Sequence, residues 1–357
     1  LRHPLNRETI EPSEPAMTLH DPNPRPAART KERRSTVDTP RTTLLSRVAE
    51  HLYWAGRYLE RAEATARMVR THTELFVDLP RTAGLGWAPL LAVTGSQEAY
   101  SDGHDQATED EVVRFLLCSS DHPGSVVSSI ALARENLRVT RDLIPRRSWE
   151  VVNETHLWLR RTADTGANRS ARVLWTEELI RRCHMLQGSV VTTMSRDEAF
   201  AMFEIGRLVE RADMTTRVID VQAGVLMGST DEALAPFIGL TWMAMLRSLG
   251  GEQMYRRKMG ADIWATGAVT FLLRDNAFPR SVEHCLIDIS RWLLELPDHS
   301  EAMAASAELQ RQLDAADLGE FDVAELHEFL DRIQLALADL HGQVDRAYFT
   351  APNLTPA

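Results

Sequence analysis

The chain has 357 residues, 44% hydrophobic and 25% charged, the proportions of a globular protein and not of a disordered or fibrous one. Its 51 acidic against 40 basic residues leave a formal charge of −11, which argues against nucleic acid as a partner, since phosphate binding needs a dense excess of Lys and Arg. Cys118, Cys183 and Cys285 are too widely and irregularly spaced for a disulfide framework or a zinc site, so a reducing cytoplasm is the expected compartment.

Residues 1–43 carry seven prolines among polar residues and show no apolar period. Such a segment cannot bury enough surface to offset its ordering entropy, and a disordered N-terminal extension is expected there. It lacks a continuous apolar h-region, so no secretory signal is expected. From Leu44 to Phe349, amphipathic stretches alternate with short Gly, Pro and Asp/Ser breaks. This pattern predicts an all-α helical bundle, followed by a C-terminal tail over 349–357. The predicted helices are 45–79, 87–100, 109–118, 123–143, 147–163, 169–193, 196–227, 231–250, 252–257, 261–274, 279–296, 299–315 and 322–348. The longest apolar run, Phe237 to Leu246, is about half of a membrane span, and no membrane partner is expected.

An internal repeat organises these elements. Tyr53-Trp54-Ala55-Gly56-Arg57-Tyr58-Leu59-Glu60-Arg61-Ala62-Glu63 recurs as Phe203-Glu204-Ile205-Gly206-Arg207-Leu208-Val209-Glu210-Arg211-Ala212-Asp213, and each copy reaches an arginine four residues later, Arg67 and Arg217. Trp87, Leu91, Gly95 and Tyr100 share their spacing with Trp242, Leu246, Gly250 and Tyr255. Phe115-Leu116-Leu117 followed by Pro123, Ser125 and Val126 is echoed by Phe271-Leu272-Leu273 followed by Pro279, Ser281 and Val282. Three blocks in one order point to a tandem duplication. Two halves, 44–193 and 194–348, are expected to pack with approximate two-fold symmetry as one domain, because no Gly/Ser/Pro-rich linker separates them.

On a helical projection Leu52, Ala55, Leu59, Ala62, Ala66 and Val69 share one face. Beside it lies a stripe of Tyr53, Gly56, Glu60, Glu63 and Arg67, spaced as core contacts usually are. Phe203, Gly206, Glu210, Asp213 and Arg217 repeat it. The candidate network is therefore Arg57, Glu60, Arg61, Glu63, Arg67, Arg207, Glu210, Arg211, Asp213 and Arg217. Buried ions need partners, and the first reading is ion pairing between the halves, for instance Glu60 with Arg217 and Glu210 with Arg67. A second reading is a binding or catalytic pocket for a carboxylate, phosphate or amine. A third is a carboxylate-bridged metal centre, but the Glu-x-x-His pairs of such centres are missing, with Glu63 and Asp213 where His would stand; no metal and no cofactor are expected. Arg134, Arg138 and Arg141 suggest an anion-binding or solvated face. Ser125 and Ser281 are expected as helix caps, and the repeated Trp and Tyr as core anchors. The sequence contains no Walker-type loop, Gly-x-Ser-x-Gly elbow or Gly-x-Gly-x-x-Gly fingerprint.

The stretch Leu-Ser-Arg-Val-Ala-Glu-His-Leu-Tyr-Trp-Ala-Gly-Arg-Tyr-Leu-Glu-Arg-Ala-Glu, together with Thr-Met-Ser-Arg-Asp-Glu, Gly-Arg-Leu-Val-Glu-Arg-Ala-Asp-Met-Thr and Phe-Pro-Arg-Ser-Val, resembles the alpha-E family, a bacterial helical family named for Glu-Arg motifs. Glu60-Arg61 and Glu210-Arg211 represent those motifs here, and the resemblance runs from Leu44 to Phe349. It implies a context: proteins of this kind accompany circularly permuted ATP-grasp ligases and transglutaminase-like proteases in systems that make or process peptides. It carries over no catalytic residue. An accessory module that docks onto such a ligase, or presents substrate to it, is the leading expectation, with homo-oligomerisation possible. An acyl or aminoacyl transferase using the Glu/Arg stripe is the alternative, and a metal-carboxylate protein the third.

Overall fold

The computed structural model describes residues 44–79, 86–227 and 235–350; the expected extension 1–43 and residues 351–357 of the tail lie outside these. The described residues form fourteen α-helices and no strand, as the helical periodicity requires. The first seven are α1 (Ser46–Asp78), α2 (Ala88–Val93), α3 (Gln97–Ser101), α4 (Glu109–Cys118), α5 (Val126–Val139), α6 (Arg146–Ala167) and α7 (Arg169–Thr193). The second seven are α8 (Glu198–Met227), α9 (Ile238–Ser248), α10 (Glu252–Met259), α11 (Ala265–Arg274), α12 (Val282–Leu293), α13 (Ser300–Ala315) and α14 (Val323–Tyr348), with a 3₁₀ turn, Ala235–Phe237, before α9.

Several predicted elements are shorter or broken, among them 87–100, 123–143, 261–274 and 279–296. The expected helix 87–100 divides at Gly95, whose φ of +62° ends α2, and the amide of Ser96 bonds back to the Leu91 carbonyl. Gly250, at φ +67°, does the same between α9 and α10, with Gly251 bonding to Leu246. Both are left-handed helix ends that a side chain would strain. The predicted helix 123–143 begins only at Val126, because the Ser125 hydroxyl accepts the Ser128 amide as an N-cap; Ser281 caps α12 identically through the His284 amide.

The long helices α1 and α8 cross at the centre. Around them the packing is reciprocal: α5 and α7 lie against α1, α12 and α14 against α8, while α2 crosses over to α8 and α9 crosses over to α1. The apolar face read from the sequence, Leu52, Ala55, Leu59, Ala62, Ala66 and Val69, is buried, as are Trp87, Tyr100, Trp242 and Tyr255. Trp264, which lies outside the repeated blocks, is exposed.

The crossing is set by two glycines. A Cβ on Gly56 would collide with the Phe203 carbonyl oxygen, and one on Gly206 with the Tyr53 carbonyl oxygen. Each glycine lowers helix propensity by about 1 kcal/mol relative to Ala, so only the backbone-to-backbone approach accounts for the pair. Gly206→Ala is expected to lose about 3 kcal/mol or more despite the better helix former, because backbone, unlike a side chain, has nowhere to go. Denaturant unfolding would read this, and near-wild-type stability would show that the crossing relaxes.

Candidate functional site

Because α1 and α8 meet at the two glycines, the Glu-Arg pairs one turn further on face one another across the crossing. Each glutamate accepts a two-pronged guanidinium from the other helix: Arg211 Nε and Nη2 donate to Glu60 Oε1 and Oε2 at 3.0 and 2.7 Å, and Arg61 Nε and Nη2 donate to Glu210 Oε1 and Oε2 at 2.6 and 3.0 Å. Two parallel charge-assisted bonds are the strongest geometry open to these side chains. Both glutamates are buried.

The surroundings of the two pairs differ. Around Glu60 the network is the more closed of the two. Arg280, at the turn before α12, donates Nη1 to Glu60 Oε1 and Nη2 to Glu63 Oε1, both at 2.6 Å, bridging the two carboxylates. Glu63 also pairs with Arg67 and accepts from Gln187 Nε2 at 2.9 Å, with His184 Nε2 at 3.1 Å. Arg207 is drawn away to Glu204 and stands 3.8 Å from Glu60. Burial alone would raise the pKa of both acids, but Arg211 and Arg280 hold Glu60, and chiefly Arg280 holds Glu63, below the usual carboxylate range.

Around Glu210 the network is open. Trp54 replaces the competing carboxylate of Glu204, so Arg57 is free to donate to Glu210 Oε2 at 2.7 Å while lying over the Trp54 ring. Against the cost of burial, Arg57 and Arg61 bring Glu210 down to about 2. Asp213 pairs only with Arg217 on its own helix, 2.9 Å away, and burial pushes its pKa up. Tyr53, buried and raised to about 12, meets His341 of α14 at 2.9 Å. The Asp213 side chain is 18% exposed where Glu63 is 0%, and Arg61 is 26% exposed where Arg211 is 7%. Solvent therefore reaches these two positions more freely on the Glu210 side, although on the other side His184 at the rim is 53% exposed and Arg280 13%.

Eight of the ten residues singled out in the sequence pair around Glu60, Glu63 and Glu210, while Asp213 and Arg217 pair with each other, and the partners differ from those first expected. Glu60 does not meet Arg217, nor Glu210 Arg67. The two arginines sit three turns beyond the crossing glycines, about 16 Å along the axis, and each folds back to the acid four residues earlier on its own helix. Arg280, His184, Gln187 and His341 carry no signal in the stripe, since they arrive from other parts of the chain, Arg280 from a turn and the rest from α7 and α14. Arg134, Arg138 and Arg141 do not form one face of a helix: α5 ends at Val139, Arg134 bonds Asn153, Arg138 pairs with exposed Glu135 and Arg141 with exposed Asp142. One group of three potential metal donors occurs among the described residues, Asp220, His327 and Asp331, at the solvent-facing edge between α8 and α14 and away from the stripe.

A Glu-Arg motif is also what the comparisons with known proteins single out. The model of the Alpha-E family, described as a predicted alpha-helical domain with a conserved ER motif, matches residues 44–349. The chain belongs to the Alpha-E family. In this Alpha-E protein the two ER dipeptides are Glu60-Arg61 and Glu210-Arg211, and the motif's two letters pair with each other's copy and not within a copy. Uncharacterised proteins of Mycobacterium bovis and of two strains of Mycobacterium tuberculosis are each 25% identical over 272 residues, which is 71% of this chain and 30% of theirs. The chain thus spans less than a third of the length of the curated relatives it matches. No solved structure matches it.

Since Glu210 falls to about 2 on folding, the Alpha-E fold gains stability from its ionisation that is complete above the unfolded carboxylate pKa and is lost as pH falls through the folded one. The contribution is on the order of 3 kcal/mol. Glu210→Gln is therefore expected to be less stable than wild type at pH 7 and to show a shallower loss of stability between pH 5 and 2 in urea titrations; parallel acid limbs would contradict it. Glu60→Ala, which strands buried arginines, is expected to cost about 3–5 kcal/mol, and removing Arg211 as well should return part of that in a double-mutant cycle.

Proposed function

We propose that this chain is a non-catalytic helical module that docks onto, or presents substrate to, an ATP-grasp peptide or amide ligase, with a transglutaminase-like protease as a further partner. One observation carries the non-catalytic reading: the central glutamates each bind guanidinium groups on both oxygens and are held ionised, which unfits them for the proton exchange a general acid or base performs. The thiols support it. Burial pushes Cys118 to about 11, Cys285 to about 12 and Cys183 well upward, so none is poised as a thiolate nucleophile. The same pairing speaks against the metal-carboxylate alternative, because the oxygens a metal would need are taken by arginine.

The length of the relatives supports a partner. In those relatives the matched region occupies 30% of the chain and so stands beside other sequence in the same polypeptide, and a covalent neighbour raises effective concentration in the way a docked partner would. The reciprocal helix swapping supports reading 44–193 and 194–348 as tandem copies that form one body.

Co-expression with an ATP-grasp ligase encoded beside an Alpha-E gene tests the proposal. The expected outcome is a complex that survives gel filtration, with ligase-dependent ATP consumption higher in its presence. Turnover of an acyl or aminoacyl substrate by the isolated chain would favour the transferase alternative instead.

A further inference from the structure

The turns before α5 and α12 are built alike. The Ser125 and Ser281 amides bond to the carbonyls of His122 and Phe278 at 3.1 and 3.0 Å, and the two serine hydroxyls donate to the Ser119 and Asp275 carbonyls. Between each proline and serine stands one residue, Gly124 in the first turn and Arg280 in the second. Arg280 projects from its turn to bridge Glu60 and Glu63. Gly124 projects nothing.

The missing side chain changes how the matching acceptors are served, although Arg57 on Glu210 Oε2 makes up part of the loss. Glu60 Oε1 receives both Arg211 and Arg280, whereas its counterpart Glu210 Oε1 receives Arg61 alone. Glu63 is bridged by Arg280, whereas its counterpart Asp213 has Arg217 on Oδ2 and no recorded partner on Oδ1 among the described residues. Asp213 is also one methylene shorter, which widens the gap. A third difference is independent of the acids. The Thr215 hydroxyl donates to the Arg280 carbonyl at 3.0 Å, but Thr65, at the corresponding step of α1 and 0% exposed, has an Oγ1 with no partner. A buried hydroxyl left unpaired costs roughly 1–3 kcal/mol. His122 brings no competing cation, since burial and the nearby Arg61 lower its pKa.

We propose that the open side of the crossing is a binding site for a guanidinium group, which bridges Glu210 and Asp213 in the place that Arg280 fills on the closed side. A planar fork of N–H donors suits two carboxylate oxygens better than a point charge does, and Arg280 demonstrates the fit within the same molecule. The greater exposure of Asp213 and Arg61 supplies the entry. The inference does not depend on the ligase partner and fails or stands separately from it.

Isothermal titration of the whole chain with methylguanidinium, L-arginine and a tripeptide with a central arginine tests it, with tetramethylammonium as a cation without donors. Saturable one-to-one binding of the guanidinium compounds at millimolar concentration is expected, and none of tetramethylammonium; L-arginine against the tripeptide separates a free small molecule from a side chain as the source. Asp213→Asn is expected to weaken binding by about tenfold or more. Gly124→Arg, which supplies the group from the chain itself, is expected to abolish binding and raise the melting temperature. Should Gly124→Arg not fold against His122, the Asp213→Asn comparison decides alone. Absence of saturable binding to the wild type, or binding unchanged in Asp213→Asn, would overturn the proposal.

Discussion

Everything in this fold is arranged around carboxylates removed from water and compensated by guanidinium groups from a different part of the chain. An isolated buried carboxylate is costly, and truncating one partner of a buried pair strands the other. The two glycines matter for this reason: they let α1 and α8 approach until Glu60 reaches Arg211 and Glu210 reaches Arg61 across the crossing. Apolar burial makes the bundle compact. The glutamate-arginine exchange fixes which helices cross and in what register, since sliding α8 by one turn would break both two-pronged pairs.

Most of this architecture was legible in the sequence, for a physical reason. Helical periodicity is local, so the long elements could be read directly, and a repeat copies its own register, so Glu60 and Glu210 could be matched before any coordinates. Gly56 and Gly206 stood out because glycine has no cause to recur in mid-helix except a close approach. What escaped the reading was non-local. The pairing of Glu60 with Arg211 and not Arg217 depends on the crossing angle, which no one-dimensional pattern contains, and the bridging role of Arg280 depends on a turn 220 residues from its acid. A signal was nevertheless present. Within the recurring Pro-x-Ser-Val block, the one position that breaks the repeat pairs Gly124 with Arg280.

Departures from the repeat are therefore more informative than the repeat itself. Glu204 against Trp54, Glu63 against Asp213 and Arg280 against Gly124 all change the same way, closing one side of the crossing and opening the other. Two identical sides would give a symmetrical structural clasp. With one side differentiated, the more closed network can hold the helices together while the exposed one remains available for a ligand, so that a single motif supplies both rigidity and recognition without a trade between them.

The span between Glu60 and its partners also governs how the chain comes off the ribosome. Glu60 must wait for Arg211, 151 residues later, and for Arg280, 220 residues later; at ordinary rates of synthesis that is about ten to forty seconds for the longer interval. Until Arg211 emerges, α1 carries a carboxylate without its cross-helix partner on the edge of its apolar face, which disfavours early collapse of the first half onto itself. The charge that locks the finished fold thus keeps the nascent helix hydrated until the second half exists to receive it.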